Sequence, residues 1–172
     1  LEVRRVDLFD GPRLTEAFTG CELVFHLAAT ITIDGDRDGS VRHTNVDGTR
    51  AVLAAARQAG VRRLVHFSSI HALHHRPGDD TPLDETRPLC DEVGPCLPYD
   101  ATKAAGERAV QEAVAAGLDA VIVNPTGILG PIDFKPSPMG TLTLKLGLGQ
   151  MPSLVDAGFD WVDVRDVARG AL

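Results

Sequence analysis

The chain has 172 residues, of which 44% are apolar and 24% charged, with a net charge of -7 and a mean hydropathy of +0.00. That suffices for one domain with a sizeable core and excludes disordered, collagen-like and coiled-coil classes. The acidic balance offers no basic footprint for a phosphate backbone, so a small-molecule substrate is expected and nucleic acid is not.

Short apolar runs rich in Val, Leu and Ile alternate with helical patterns, the mark of parallel strands joined by crossover helices. The first predicted strand is Glu2–Val6. It stands at the very start of the chain, and residue 1 is not Met, so the chain is expected to begin inside a fold. A second strand is predicted over Leu23–Leu27, a helix over Asn45–Ala59, and a third strand over Leu64–Phe67. In that helix Val46, Thr49, Val52, Leu53 and Ala56 share one stripe, and Gly60 follows as the stop. Pro77–Pro98 is rich in proline and acidic residues and reads as an irregular surface loop whose length suits an active-site lid. The Ala-rich Tyr99–Ala116 predicts a long helix that ends at Gly117 and leads into a fourth strand, Ala120–Asn124. Pro125–Gly140 reads as a second loop. Thr141–Gly149 alternates Leu at period two as a strand does, without an obvious partner, and its state stays open. Asp163 and Asp166 suit the N-terminus of a late helix, where they cap free amides.

Cys21, Cys90 and Cys96 form an odd set without CxxC spacing, which argues against a disulfide framework and a zinc ribbon and fits a reducing cytoplasm. Asp91 and Glu92 disfavour a reactive thiolate, so Cys90 and Cys96 read as bystanders. No apolar run approaches the roughly 20 residues of a membrane span, so no membrane role is expected.

The chemistry-bearing signal is Tyr99-x-x-x-Lys103 at the start of the long helix, with Ser68-Ser69 at the end of a strand. One helical turn separates Tyr99 from Lys103, so both lie on one face. A neighbouring ammonium favours the phenolate and makes Tyr usable as a general acid or base near neutrality. A hydroxyl at the C-terminal end of a parallel strand stands where ligands bind in open sheets. His71, His74 and His75 lack a carboxylate or thiol at metal-ligand spacing, so no metal is expected; His71 and His74 are candidate substrate contacts. His26 and His66 lie in apolar runs and read as satisfied core histidines. Glu107, one turn beyond Lys103, reads as an ion-pairing support of the helix.

In these segments the chain resembles the extended short-chain dehydrogenase/reductases, the family of NAD-dependent epimerases and dehydratases and dihydroflavonol-reductase-like enzymes. Val6-Asp7-Leu8, Val24 to Ala29, Thr44 to Thr49, Leu64 to Ser69, Tyr99 to Lys103 with Glu107, Asn124 to Pro131 and Trp161 to Ala168 carry the resemblance, in order and over nearly the whole chain. It implies a Rossmann-like, doubly wound parallel α/β sheet and an NAD(P)-dependent oxidoreductase that couples hydride transfer to proton transfer on a carbonyl or hydroxyl substrate. It assigns catalysis to Ser69, rather than Ser68, with Tyr99, Lys103 and Asn45. It assigns the cofactor, NAD or NADP, to Asp7, Leu8, Leu27, Ala28, Ala29, Tyr99, Lys103, Asn124, Pro125 and Ile128. It also implies a homodimer through the two long helices.

The family opens with a strand, a GxxGxxG turn, a helix and a second strand, and none of these stands in the 172 residues. Gly147-Leu148-Gly149 is no substitute, because it lacks the third glycine and follows no strand. The expectation is therefore a single truncated domain over 1–172, with substrate-side loops at 77–98 and 125–160 and its N-terminal and C-terminal parts missing. Dehydratases of the family resemble Thr-Asp-Glu where this chain has Ser69-Ile70-His71, which favours a reductase or a nucleotide-sugar epimerase. A non-catalytic dinucleotide-sensing or protein-binding relative is the reading of a different class. It has little need of Ser69, Tyr99 and Lys103 together.

Overall fold

The structure, a computed structural model, describes residues 2–32, 35–75, 78, 81–135, 137–153, 156 and 158–172. The chain divides into two compact units, Leu1–Asn124 and Pro125–Leu172.

In chain order the first unit holds α1 (Gly11–Phe18), β1 (Leu23–His26), α2 (Ser40–Arg42), a π turn over His43–Asp47, α3 (Gly48–Ala59), β2 (Arg63–Phe67), a 3-10 turn over Ile70–Ala72, α4 (Cys90–Val93), α5 (Pro98–Ala115) and β3 (Ala120–Val123). The strands form one parallel sheet in the order β1-β2-β3, with Val24 opposite Leu64 and Leu64 opposite Ala120. Parallel neighbours require crossover connections, and the two long helical segments supply them.

The predicted stripe Val46, Thr49, Val52, Leu53 and Ala56 is buried in full, and Val52, Leu53 and Ala56 join Leu14, Val24, Leu64, Ala109 and Val110 in the core. Gly60 ends α3 at φ +70, a left-handed conformation that glycine takes without strain. Pro98 opens α5 at a position where its missing N–H is no loss. Helix α1, which the sequence reading passed over, is set by Asp10, whose side chain accepts from the Arg13 amide at 3.2 Å, and by a proline in its first turn.

Glu2–Val6 is not a strand. Among the described residues it has no partner to complete a ladder, and the segment instead leads Val6 and Leu8 onto the core. The long loop after β2 has its own small core. Leu73 bridges Leu89 antiparallel, and Ala72, Leu73, Leu89, Cys90 and Ala104 are buried together with Leu83 and Cys96 packed on them. Pro77, where the predicted loop begins, lies outside the described residues.

The second unit holds β4 (Gly127–Leu129), α6 (Pro138–Gly147), β5 (Trp161–Asp163) and α7 (Val164–Ala171), with β4 and β5 parallel. Pro125–Gly140 is thus no loop throughout, and Thr141–Gly149 is mostly helix. Helix α6 begins on Ser137, whose hydroxyl accepts from the Gly140 amide at 3.0 Å, with proline at the next position. Asp163 caps α7 as expected, accepting from the Arg165 amide at 2.7 Å, and Asp166 lies in the first turn. No helix among the described residues is long and apolar enough to cross a membrane.

Candidate active site

The C-terminal ends of β1 and β2 and the first turns of α5 meet in the first unit. Tyr99 is half-buried in the first turn of α5, and Lys103 and Glu107 follow at intervals of one turn on the same side, both buried. Ser69 leaves the end of β2 in extended conformation and caps the 3-10 turn, its hydroxyl accepting from the His71 amide at 3.2 Å. The same hydroxyl is close enough to the Tyr99 phenol to favour its ionised form. Ser68, one residue earlier, points the other way. It is buried and faces the Glu107 carboxylate closely enough to favour its charged form, short of a good hydrogen bond.

Lys103 donates to the Phe67 carbonyl at 3.1 Å and stands 6.0 Å from the centre of the Tyr99 ring. The sequence reading expects this ammonium to lower the Tyr99 pKa. Here burial is the largest influence and raises it, Asp100 raises it further, and Ser69 is the group that opposes them. Burial also lowers the Lys103 pKa, and Glu107 counters that.

Glu107 does more than support a helix surface. Its carboxylate accepts from Asn124 Nδ2, which also donates to the Ser69 carbonyl at 3.0 Å. A buried carboxylate therefore ties the end of β3 to the turn that bears the serine. Burial raises its pKa, while Ser68, Asn124 and Lys103 favour the charged form.

Asn45 is buried in the π turn. Its Oδ1 accepts from the Thr30 amide at 2.8 Å, and its Nδ2 donates to the Thr30 carbonyl and to Thr102 Oγ1, each at 3.0 Å. It thereby joins the segment after β1 to α5 one residue from Lys103. The π turn is the local device, since its extra residue re-aims the side chain. Gly106 permits the close approach of α5, because a Cβ there would lie 3.3 Å from the Asn45 carbonyl oxygen.

Of the two strand histidines, His26 is satisfied through Thr49 Oγ1 at 3.1 Å from Nε2. His66 departs from expectation, for neither of its buried ring nitrogens has a hydrogen-bond partner among the described residues. Burial lowers the two pKa values to about 4 and about 3 respectively. His71 lies beside the site, with Nδ1 3.3 Å from Asp100 Oδ1 and its ring 6.1 Å from that of Tyr99. The main chain of His74 is held by the Pro88 carbonyl at 2.8 Å. Sequence reasoning missed Asp100 and Thr102, whose signal was their place in the turn between Tyr99 and Lys103. Cys90 and Cys96 sit with sulfurs 2.8 Å apart in the small core, and burial pushes the Cys90 thiol up.

The positions assigned to the cofactor divide. Leu27, Ala28 and Ala29 are exposed just past β1, whose last residue His26 pairs with His66 one residue before the Phe67 carbonyl that holds Lys103, and they offer a shelf of mostly small side chains. That shelf fits a nucleotide laid across the strand ends. Asp7 is exposed, with Oδ1 accepting from the Phe9 amide at 2.8 Å, whereas the Leu8 side chain packs on the core. Asn124 belongs to the Glu107 network, and Pro125 and Ile128 belong to the second unit.

Residues 1–172 match the NAD dependent epimerase/dehydratase family. Among curated proteins the chain is 40% identical over 167 residues to sterol demethylase protein B of Methylococcus capsulatus, covering 96% of this chain and 50% of that protein. It is likewise 40% identical over 169 residues to a putative dihydroflavonol 4-reductase of Synechocystis, covering 96% and 48%. Among solved structures, that of gox2253 superposes with a TM-score of 0.85 at 36% identity, covering 96% of this chain and 50% of the other. The chain spans about half the length of the curated relatives it matches.

Proposed function

The chain belongs to the NAD-dependent epimerase/dehydratase family, and from that premise we propose that it is the part of an NAD(P)-dependent reductase that handles the proton in reducing a carbonyl substrate. The observation that carries the reading is the placement of Tyr99 and Lys103 on one face of α5, 6.0 Å from ammonium to ring centre, with Ser69 at the end of β2 close enough to act on the phenol. The likeness to a putative dihydroflavonol 4-reductase supports reduction.

Ser69 orients the substrate oxygen. Tyr99 gives its phenolic proton to that oxygen as the carbonyl carbon becomes an alcohol carbon. Lys103 places a positive charge beside the developing phenolate, and Asn45 holds the start of α5 against the segment after β1. Leu27, Ala28 and Ala29 would hold the nicotinamide cofactor, which would supply the hydride, chemistry the protein itself lacks. Asp7 and Asn124 are the further proposed cofactor contacts, and a homodimer through α3 and α5 is the proposed assembly.

The test is consumption of NADH or NADPH by the whole protein with ketones and aldehydes, followed by absorbance and compared with Tyr99→Phe. Loss of a positioned general acid is expected to lower kcat by about a hundred- to ten-thousandfold. Turnover that survives Tyr99→Phe undiminished removes Tyr99 from the mechanism.

A further inference from the structure

The parallel ladder between β2 and β3 runs as far as the Ser68 amide, which donates to the Val123 carbonyl at 2.9 Å. Pro125 comes two residues later and has no N–H with which to add a rung. The turn that carries Ser69 therefore leaves the sheet just where its hydroxyl has to be placed. Two bonds close that turn on itself: the Ala72 amide donates to the Ser69 carbonyl at 3.0 Å, and the His71 amide to Ser69 Oγ at 3.2 Å. The Asn124 side chain reaches it from the end of β3. Its Nδ2 carries two hydrogens, which go to the Ser69 carbonyl at 3.0 Å and to the Glu107 carboxylate. Glu107 is 3% exposed, so its oxygens are withheld from water and have to find donors within the protein. The carboxylate thus fixes which way the Asn124 amide faces, and the amide holds the Ser69 main chain. Glu107 itself lies about two turns, or roughly 12 Å of rise, along α5 from Tyr99, so it acts through Asn124 and not by contact with the reacting oxygen.

We infer that Glu107 is a positioning residue for the proton transfer: through Asn124 it sets the Ser69 carbonyl, and with it the place of the Ser69 hydroxyl beside Tyr99. This rests on the reading of Tyr99 as the proton donor and of Ser69 as the group that orients the substrate oxygen. Because the effect of Glu107 on the rate runs through one serine, it vanishes when that serine has no hydroxyl. A residue that only supports the fold has no such dependence.

The test measures kcat for cyclohexanone and benzaldehyde at saturating NADH or NADPH in the whole protein. The variants are Glu107→Leu, Glu107→Gln and Asn124→Ala, then Ser69→Ala alone and combined with each of them. A misplacement on the order of 1 Å at a reacting group costs about a hundredfold, so Glu107→Leu and Asn124→Ala should each lower kcat by about ten- to a hundredfold. Glu107→Gln keeps a carbonyl oxygen for Asn124 and should hold kcat within about threefold of the unaltered protein. On top of Ser69→Ala, none of the three should lower kcat further by more than about twofold. Asn124→Ala removes the link and leaves the Glu107 charge beside Lys103, so it carries the same test where Glu107→Leu does not fold. Full kcat in Asn124→Ala or in Ser69→Ala, a Glu107→Gln variant as slow as Asn124→Ala, or losses that multiply with that of Ser69→Ala overturn the inference. Reduction of neither substrate, or turnover undiminished in Tyr99→Phe, overturns the proposed function and the inference with it, so failure of that reading is told apart from failure of the inference alone.

Discussion

Replacing Asn45 by Ala tests whether one side chain joins the segment after β1 to α5. Three hydrogen bonds vanish: Thr30 N–H to Oδ1, Nδ2 to the Thr30 carbonyl, and Nδ2 to Thr102 Oγ1. Thr30 is only partly buried and can recover water at its amide and carbonyl. Thr102 is buried but keeps its own donation to the Tyr99 carbonyl at 2.7 Å, so its hydroxyl is not orphaned. With each net bond contributing about 0.5 to 1.5 kcal/mol, Asn45→Ala should destabilise the protein by about 2 to 3 kcal/mol. Asn45→Asp should be worse, although it is nearly isosteric. It keeps the acceptor for the Thr30 amide but turns the donor into a second acceptor facing the Thr30 carbonyl, and it buries a charge without a counter-charge. Urea unfolding at pH 7.5, followed by far-UV ellipticity, measures both. A loss below about 0.5 kcal/mol for Asn45→Ala, or Asn45→Asp more stable than Asn45→Ala, refutes the reasoning.

The buried histidines set a pH dependence. Their folded pKa values of about 4 and about 3 lie below the ordinary 6.5, so below pH 6.5 the unfolded chain binds more protons and stability falls. The stabilisation is fully present above pH 6.5 and is lost as pH descends toward the folded values, by about 2 to 3 kcal/mol per histidine at pH 4.5. His66→Leu should flatten the lower part of that curve and be neutral or stabilising at pH 7.5, since it removes two unpartnered buried nitrogens; an unchanged slope in urea midpoints would contradict this. Gly106→Val should lower stability by about 1 to 3 kcal/mol, because branched methyls enter the space before the Asn45 carbonyl, Thr49 and His66, and thermal unfolding equal to the unaltered protein would discount the close approach.

The parts of the fold legible in the sequence were those whose pattern has one period and one stop signal. The stripe on α3 with Gly60 was found with its end at Ala59 and its start in the π turn that precedes Gly48, and the Ala-rich α5 with Gly117 was found within one residue at each end. Helix α6 was not, because Leu142, Leu144, Leu146 and Leu148 spaced by two residues wind around a helix instead of lining one face; Leu144, Leu146 and Leu148 are accordingly exposed. Its start was nonetheless written in Ser137-Pro138, as that of α1 was in Asp10-Gly11-Pro12. Glu2–Val6 had strand composition, but a strand is made by its neighbour as much as by its residues. At the site, helical spacing placed Tyr99, Lys103 and Glu107 together. The polar links of Asn45 to Thr30 and of Glu107 to Asn124 join residues distant in sequence, which no local pattern encodes.

Those links bear on the role proposed for Tyr99. Burial acts on all three groups of the α5 face and disfavours each charge: it raises the Tyr99 and Glu107 pKa values and lowers that of Lys103. Lys103 and Glu107 offset this for each other, and each has a further anchor, Lys103 on the Phe67 carbonyl and Glu107 on Asn124. Both are buried, and they stand behind Tyr99 in the row, each hydrogen-bonded to its own partner. Tyr99 stands at the outer end of the row, where Asp100 and burial favour the neutral phenol and Ser69 favours the phenolate. A phenol that keeps its proton at neutral pH is prepared to give it to the oxygen of a carbonyl being reduced. Under the proposed function this environment, which favours the neutral phenol, suits Tyr99 as the proton donor.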